Sequence, residues 1–216
     1  MLNRQTYAHT ELVVALHGHK LVNLLPDERL ALEGASAVLE IPADRSLGNC
    51  LNSAIEEANG QFVAKVDDDD LYGRNYLAEM VEHLVAGNGD IVGKAEFYVY
   101  LQDSGSIVLS SPGLGLKLVK FIRGGTLAFS RSLALQCPFR DVTLGEDVVF
   151  LEDCRLSGAS VYSTSRRNYM YFRHAATHGH TSQLPDINFI QSGIVLRRNR
   201  PATRPELLAL IDHRAA

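Results

Sequence analysis

The sequence predicts an α/β domain: a mostly parallel central sheet flanked by helices, with a smaller antiparallel part in its second half. Three observations carry this. Within the first 90 residues, apolar runs of strand length alternate with amphipathic stretches of helical period, giving the order β, α, β, α, β, α. One of those runs leads directly into four consecutive carboxylates, Asp67 to Asp70, at the strand end where open α/β sheets collect ligands. The 216 residues, 46% of them hydrophobic, can bury a core that needs neither disulfides nor a structural metal.

The elements follow in order. Glu11 to Leu16 is a short apolar run of strand length, left through the turn-like His17-Gly18-His19. Ala37 to Ile41 is a second strand, closed by Pro42. Leu47, Leu51, Ala54, Ile55 and Ala58 then share one helical face; Ser46 can cap its start and Gly60 stops it. Gln61 to Val66 reads as a buried strand running into the Asp cluster. Leu77, Met80, Val81, Leu84 and Val85 stripe the next helix, which ends at Gly87. In the second half, Asp90 to Leu101 and Ile107 to Ser110 flank a hairpin turn at Asp103-Ser104-Gly105. Gly125 to Ser130, Val161 to Ser163 and Tyr169 to Arg173 read as strands, and Glu146 to Leu156 as a helix stopping at Gly158. From Gln183 the pattern is helix and loop, with Pro205 near the start of a last helix carrying Leu207, Leu208 and Ile211. We expect residues 1–182 to form the main domain and 183–216 a helical tail packing on it or extending from it. The first residues, up to Tyr7, read as the end of a helix, as though the chain began partway into a fold.

Composition excludes several function classes. A net charge of −4 and a pI near 6.0 argue against a nucleic-acid partner, which asks for a basic surface. No uncharged apolar run approaches the roughly 18–20 residues of a membrane span. Met1-Leu2-Asn3-Arg4-Gln5 has no apolar secretory core. Cys50, Cys137 and Cys154 are too few and too scattered for a disulfide framework or a zinc motif. The expectation is a cytoplasmic protein of a reducing compartment.

The Asp67 to Asp70 run carries the most chemistry. Adjacent carboxylates repel, so a fold that gathers them needs compensating positive charge. A hard divalent cation, Mg²⁺ or Mn²⁺, suits oxygen ligands. If the strand alternation persists through the run, Asp67 and Asp69 share a face and reach one ion, while Asp68 points elsewhere. The competing explanation is a solvated acidic turn capping the following helix; the apolar strand just before the run favours the ion.

Around this cluster a family resemblance emerges. Leu47-Gly48-Asn49-Cys50-Leu51-Asn52-Ser53-Ala54-Ile55, followed by Ala58-Asn59-Gly60 and a strand ending in Asp67-Asp68-Asp69-Asp70, resembles family 2 glycosyltransferases of the GT-A fold, with their DxD motif. Arg123-Gly124-Gly125-Thr126-Leu127-Ala128-Phe129 is similar to the acceptor-side segment of that family, and Gly145-Glu146-Asp147-Val148-Val149-Phe150-Leu151 to its ED motif. Gln5-Thr6-Tyr7 leading to Glu11-Leu12-Val13-Val14 also resembles the family pattern. DxD alone is weak; DxD, GG-T and ED in the expected order are much stronger. The likeness spans roughly residues 3 to 175.

The resemblance implies a GT-A-like, Rossmann-like fold and a metal-dependent, inverting transfer of a sugar from a nucleoside diphosphate, taken as UDP, to a hydroxyl of a glycan or other acceptor. It places the metal on Asp69, with Asp67 beside it, and assigns the donor ribose to Asp68 or a neighbour. Asp147, with Glu146 before it, resembles the catalytic base; acidic residues in a first helical turn also favour the helix dipole without any catalysis. Arg45 is a candidate contact to the nucleotide, equally readable as a solvated loop arginine. Asn52 is a further candidate of the nucleotide side, or a side chain that orders its loop. Among His174, His178 and His180, one is a candidate metal ligand, His174 first. His17-Gly18-His19 stands where family members commonly place an acidic residue that reads the base. The family's first strand has no counterpart here, so the chain reads as shortened, as part of a larger parent chain, or as completed by a second copy in a homo-oligomer. The competing readings are a catalytically silent carbohydrate- or partner-binding module and a sugar-nucleotide pyrophosphorylase. The latter expects a Gly-rich basic loop after its first strand, and none is present. A glycoside hydrolase would also need two carboxylates but leaves the Asp cluster unexplained.

Overall fold

The computed structural model describes residues 2–174 and 185–212. In chain order the strands and helices are β1 (Val13–His17), α1 (Pro26–Ala31), β2 (Ala37–Ile41), α2 (Leu47–Glu57), β3 (Phe62–Ala64), β4 (Leu71–Tyr72), α3 (Tyr76–Val85), β5 (Ile91–Gly93), β6 (Phe97–Leu101) and β7 (Ser106–Ser110). They continue with β8 (Lys117–Leu118), β9 (Ala128–Ser130), α4 (Arg131–Gln136), α5 (Glu146–Leu156), β10 (Val161–Ser163), β11 (Tyr169–Arg173), α6 (Asp186–Ser192), β12 (Ile194–Arg197) and α7 (Arg204–Asp212). These elements form two units. One gathers the described parts of 1–7, 64–128 and 160–216, the other those of 8–63 and 129–159.

The first unit is organised around a mixed sheet of order β12-β7-β6-β11-β4. β6 and β11 lie parallel, Met170 opposite Tyr98 and Arg173 opposite Leu101; β7 and β4 pair antiparallel at the flanks. Their sequences, FYVYL and YMYFR, carry aromatic or large apolar side chains on both faces, which fits strands covered on both sides. One face packs Tyr72, Tyr76, Met80, Val99, Tyr169 and Phe189. The other packs Leu71, Tyr100, Ile107 and Met170 under Leu207 and Ile211 of α7. A second, smaller group joins β5 to β10 in parallel and β10 to β8 antiparallel. Helix α3 is fixed by a buried ion pair. Lys94, 0% exposed, reaches Glu79 Oε2 at 2.8 Å and the Ser165 carbonyl at 2.8 Å, and Ser165 and Asn168 also donate to Glu79. Burial alone would lift the Glu79 carboxyl, but the Lys94 ammonium and these hydrogen bonds bring it below the usual value.

In the second unit β1 and β2 form a parallel pair with Val13 opposite Ala37 and His17 opposite Ile41. Helix α2 begins at Ser46, whose Oγ accepts from the Asn49 N–H at 3.2 Å, a cap worth about 1 kcal/mol. Its first turn passes so close to the chain at 140 that a Cβ on Gly48 would sit 1.9 Å from the Arg140 carbonyl oxygen. Arg131 at the start of α4 donates to the Ile55 and Glu56 carbonyls, closing the far end of α2. Phe139 and Phe150 stack with centroids 4.1 Å apart and Phe129 packs 5.0 Å from Phe150, which buries the inner face of α5.

The mixed α/β architecture agrees with the expectation, antiparallel part included. Several local expectations differ. β3 stops at Ala64, so the strand does not run through Val66 into the carboxylates. The Asp90 to Leu101 run breaks into β5 and β6, which belong to different sheets. Gly124–Thr126 is a 3-10 turn, so β9 starts only at Ala128. The start of the chain is a 3-10 turn over Leu2–Arg4 instead of a helix end reaching Tyr7. The segment after Gln183 contains the strand β12, which extends the mixed sheet at β7.

Candidate functional site

Lys65, just past β3, donates its backbone N–H to the Leu127 carbonyl at 2.8 Å, and its Nζ pairs with Asp67 Oδ1 at 2.5 Å. The chain then turns over residues 68–70 before entering β4. The turn is pinned by Tyr72, whose buried hydroxyl accepts from the Asp67 N–H at 2.8 Å and donates to the Gly125 carbonyl at 2.7 Å. Asp70, 4% exposed, is held from β11: Tyr169 donates its hydroxyl to Oδ2 at 2.6 Å and the Phe172 N–H reaches Oδ1 at 3.0 Å.

This turn corrects the strand alternation expected for the run. Asp67 and Asp69 do come together, but through a turn, and the turn adds Asp70: one oxygen from each of the three lies within 4.8 Å of the others. Asp68 is exposed and outside this group. Sequence spacing held the signal for Asp70, since residues i and i+3 meet in a turn, but a strand reading hides it.

Asp69 and Asp70 both hold a proton more tightly than a free carboxyl does. Burial, only partly offset by the Tyr169 and Phe172 hydrogen bonds, pushes the Asp70 carboxyl up to about 7. Asp69 is also raised, first by loss of water around its carboxyl and then by Asp67 and Asp68. The space between them is kept open by a glycine. A Cβ on Gly125 would stand 2.6 Å from Asp67 Oδ2 and 3.0 Å from Asp70 Oδ2. A cradle of hard oxygens with room inside fits a small divalent cation such as Mn²⁺ or Mg²⁺.

Around the cradle, the Arg123 guanidinium lies 3.8 Å from the Tyr171 ring centroid. The His174 ring lies tilted by 47° against Phe172, centroids 4.6 Å apart, and its charge favours ionised Asp69. His178 and His180 lie outside the described residues. The remaining candidates belong to the second unit. Glu146 is buried and Asp147 half-buried in the first turn of α5, Asp147 Oδ1 accepting from the Val148 N–H at 2.8 Å. Arg45 is exposed and its carbonyl contacts His17 Nε2 at 2.8 Å. Asn52 spends both ends of its amide on the Phe139 backbone, at 2.8 Å and 3.0 Å, as a loop-ordering residue does.

The profile of the family described as "Glycosyl transferase family 2" matches residues 3–136. No curated protein matches the chain. Among solved structures it is similar to the mannosyltransferase PcManGT from Pyrobaculum calidifontis in complex with GDP-Man and Mn²⁺, with a TM-score of 0.61 and 17% identity over 82% of this chain and 52% of that one. It is also similar to the 1–349 fragment of S. aureus TarS in complex with UDP-GlcNAc, with a TM-score of 0.59 and 16% identity over 88% of this chain and 58% of that one. The chain thus spans little more than half the length of these relatives, and at such identity the likeness is one of fold.

Proposed function

Starting from the premise that the chain belongs to glycosyl transferase family 2, we propose that it transfers a sugar from a nucleoside diphosphate sugar, UDP-linked, to an acceptor hydroxyl with inversion. The observation that carries this reading is the open three-carboxylate cradle at the end of β3. Asp69 and Asp67 are its metal ligands, with Asp70 behind them and His174 as a further donor. A divalent cation there supplies Lewis-acid neutralisation of the charge gathering on the departing diphosphate. The protein's own groups do the rest. Lys65 and Tyr72 hold Asp67 in place, and Tyr169 and the Phe172 N–H orient Asp70. Asp68, exposed at the rim, faces the ribose, and Arg45 the nucleotide.

Asp147 is the base, with Glu146 beside it in the first turn of α5. Its carboxylate takes the proton of the acceptor hydroxyl as that oxygen bonds to the anomeric carbon. The bond from the anomeric carbon to the diphosphate breaks on the opposite side, the diphosphate leaving with the electron pair, so the configuration inverts.

The test is binding and transfer measured separately. UDP and GDP are titrated with and without Mn²⁺ by thermal shift; a metal-dependent shift with UDP is expected. Asp69→Asn abolishes that shift, whereas Asp147→Asn keeps it and stops transfer. Absence of a metal-dependent shift with either nucleotide refutes the transferase reading and leaves a silent binding module. Full transfer by Asp147→Asn removes the base assignment.

A further inference from the structure

The cysteines are scattered in sequence, but the second unit brings two of them together. Cys137 caps the end of α4, its N–H donating to the Leu133 carbonyl at 2.8 Å. From there the chain runs along α5. Phe139 stacks on Phe150 with centroids 4.1 Å apart, and the Arg140 guanidinium donates to both oxygens of Asp153 at 2.7 and 2.6 Å. Positions 150, 153 and 154 are three and four residues apart and share one face of the helix. Cys154 therefore stands on the face along which 137–140 is laid, and its sulfur and that of Cys137 are hydrogen-bonded to each other. The third cysteine, Cys50, is buried in α2 and takes no part in this contact.

The two thiols differ in access. Cys137 is half-buried, whereas Cys154 is 0% exposed. Burial first, then the bond to Cys137 and the charges of Cys137 and Asp153, push the Cys154 thiol up, so it stays protonated and inert toward a dissolved oxidant. A buried cysteine alone would be packing. A buried cysteine bonded to a second, accessible sulfur is placed as a resolving thiol behind an attacking one.

We propose that Cys137 and Cys154 form a reversible redox site, at which hydrogen peroxide oxidises Cys137 to a sulfenic acid and Cys154 converts that acid to a disulfide. In the first step the Cys137 thiolate sulfur bonds to one peroxide oxygen. The O–O bond breaks, and the hydroxide released takes up the proton Cys137 gave. In the second step the Cys154 sulfur bonds to the Cys137 sulfur, the S–O bond breaks, and the oxygen leaves as water with the Cys154 proton. The two thiols lose two electrons and two protons, and the peroxide becomes two waters. A dithiol reductant reverses the bond by exchange. The disulfide ties α5 to the end of α4 and closes the loop that enters α5 through Gly145 at φ 75°. Asp147 lies on the same face of α5 as Cys154, about two turns earlier.

The full chain is treated in chelator with a modest excess of hydrogen peroxide, alkylated, and cut with trypsin. Trypsin cleaves after Arg131, Arg140 and Arg155, so the oxidised protein should yield residues 132–140 and 141–155 as one cross-linked species. Dithiothreitol should separate them, and Cys50 should remain alkylatable once the protein is unfolded. Cys154→Ser should leave Cys137 as a sulfenic acid that dimedone traps, and Cys137→Ser should protect Cys154 from peroxide. Amides of α5 should exchange with solvent about tenfold or more slowly in the oxidised protein than in the reduced one. The cross-link and the exchange are both read on the unsubstituted chain, so a variant that fails to fold leaves the test intact. Absence of the cross-link, a cross-link through Cys50, or equally fast oxidation of Cys154 in Cys137→Ser overturns the proposal. A cross-link that leaves α5 exchange unchanged overturns its hold on the helix.

Discussion

Replacing Gly125 by alanine tests the metal cradle without touching a ligand. The new methyl would stand 2.6 Å from Asp67 Oδ2 and 3.0 Å from Asp70 Oδ2, where ordinary contact begins at 3.4 Å. The carboxylates must therefore give way by about 0.8 and 0.4 Å, against a tolerance of about 0.2 Å in metal–oxygen distances. Neither moves freely. Asp67 is tied to Lys65 at 2.5 Å, and Asp70 to Tyr169 at 2.6 Å. We expect Gly125→Ala to lower Mn²⁺ affinity about 10- to 100-fold, the range that disturbed supporting contacts produce. The fold should lose only about 1–3 kcal/mol, as for an added methyl in a packed site. Mn²⁺ binding by electron paramagnetic resonance, with urea unfolding on the same sample, reads both. A folded Gly125→Ala protein that binds Mn²⁺ like the parent would show that no cation occupies the space between these carboxylates.

Three further predictions concern stability. Asp70 titrates near 7 in the fold and near 3.8 when free, so between those pH values the folded state binds more protons. Stability of the metal-free protein should fall as pH rises from about 4 to 7, by up to about 4 kcal/mol. Asp70→Asn should flatten the profile, and a flat parent profile in chelator refutes the assignment. The Tyr76 hydroxyl is buried with no hydrogen-bond partner among the described residues, so Tyr76→Phe should stabilise the protein by about 1 kcal/mol, read as a higher urea midpoint; a loss of stability contradicts the geometry. Asn52→Ala removes two hydrogen bonds to the Phe139 backbone and should cost about 2–3 kcal/mol while leaving UDP affinity unchanged; a selective loss of UDP binding would return Asn52 to the nucleotide.

The sequence showed the elements whose signals are local. Helix α2 has a serine cap, an apolar stripe and a stop, and α5, β10 and β11 fall within the ranges their patterns give. What it hid depends on partners far along the chain. β4 and β8 are two residues long and exist because β11 and β10 supply their hydrogen bonds. β12 alternates exposed and half-buried residues at a sheet edge, too weak a pattern to separate from a loop. In the site, four adjacent aspartates were conspicuous, yet the member with the deepest burial was not among the expected ligands. Asp70 is buried by Tyr169 and Phe172, about a hundred residues away, and nothing near it in sequence announces that. For Asn52 the sequence left two readings, a nucleotide contact or a loop-ordering side chain, and its amide is bonded at both ends to the Phe139 backbone.

That separation also bears on biosynthesis. Asp70 leaves the ribosome 99 residues ahead of the tyrosine that anchors it. At roughly 5–20 residues per second, that is a delay of about 5 to 20 seconds. During this interval the four carboxylates travel on an unfinished chain, repelling one another and keeping the segment hydrated. A premature cation would meet a flexible polyanion, not a cradle. The three-carboxylate cluster therefore takes its folded geometry only once β11 arrives to supply Tyr169 and the Phe172 N–H.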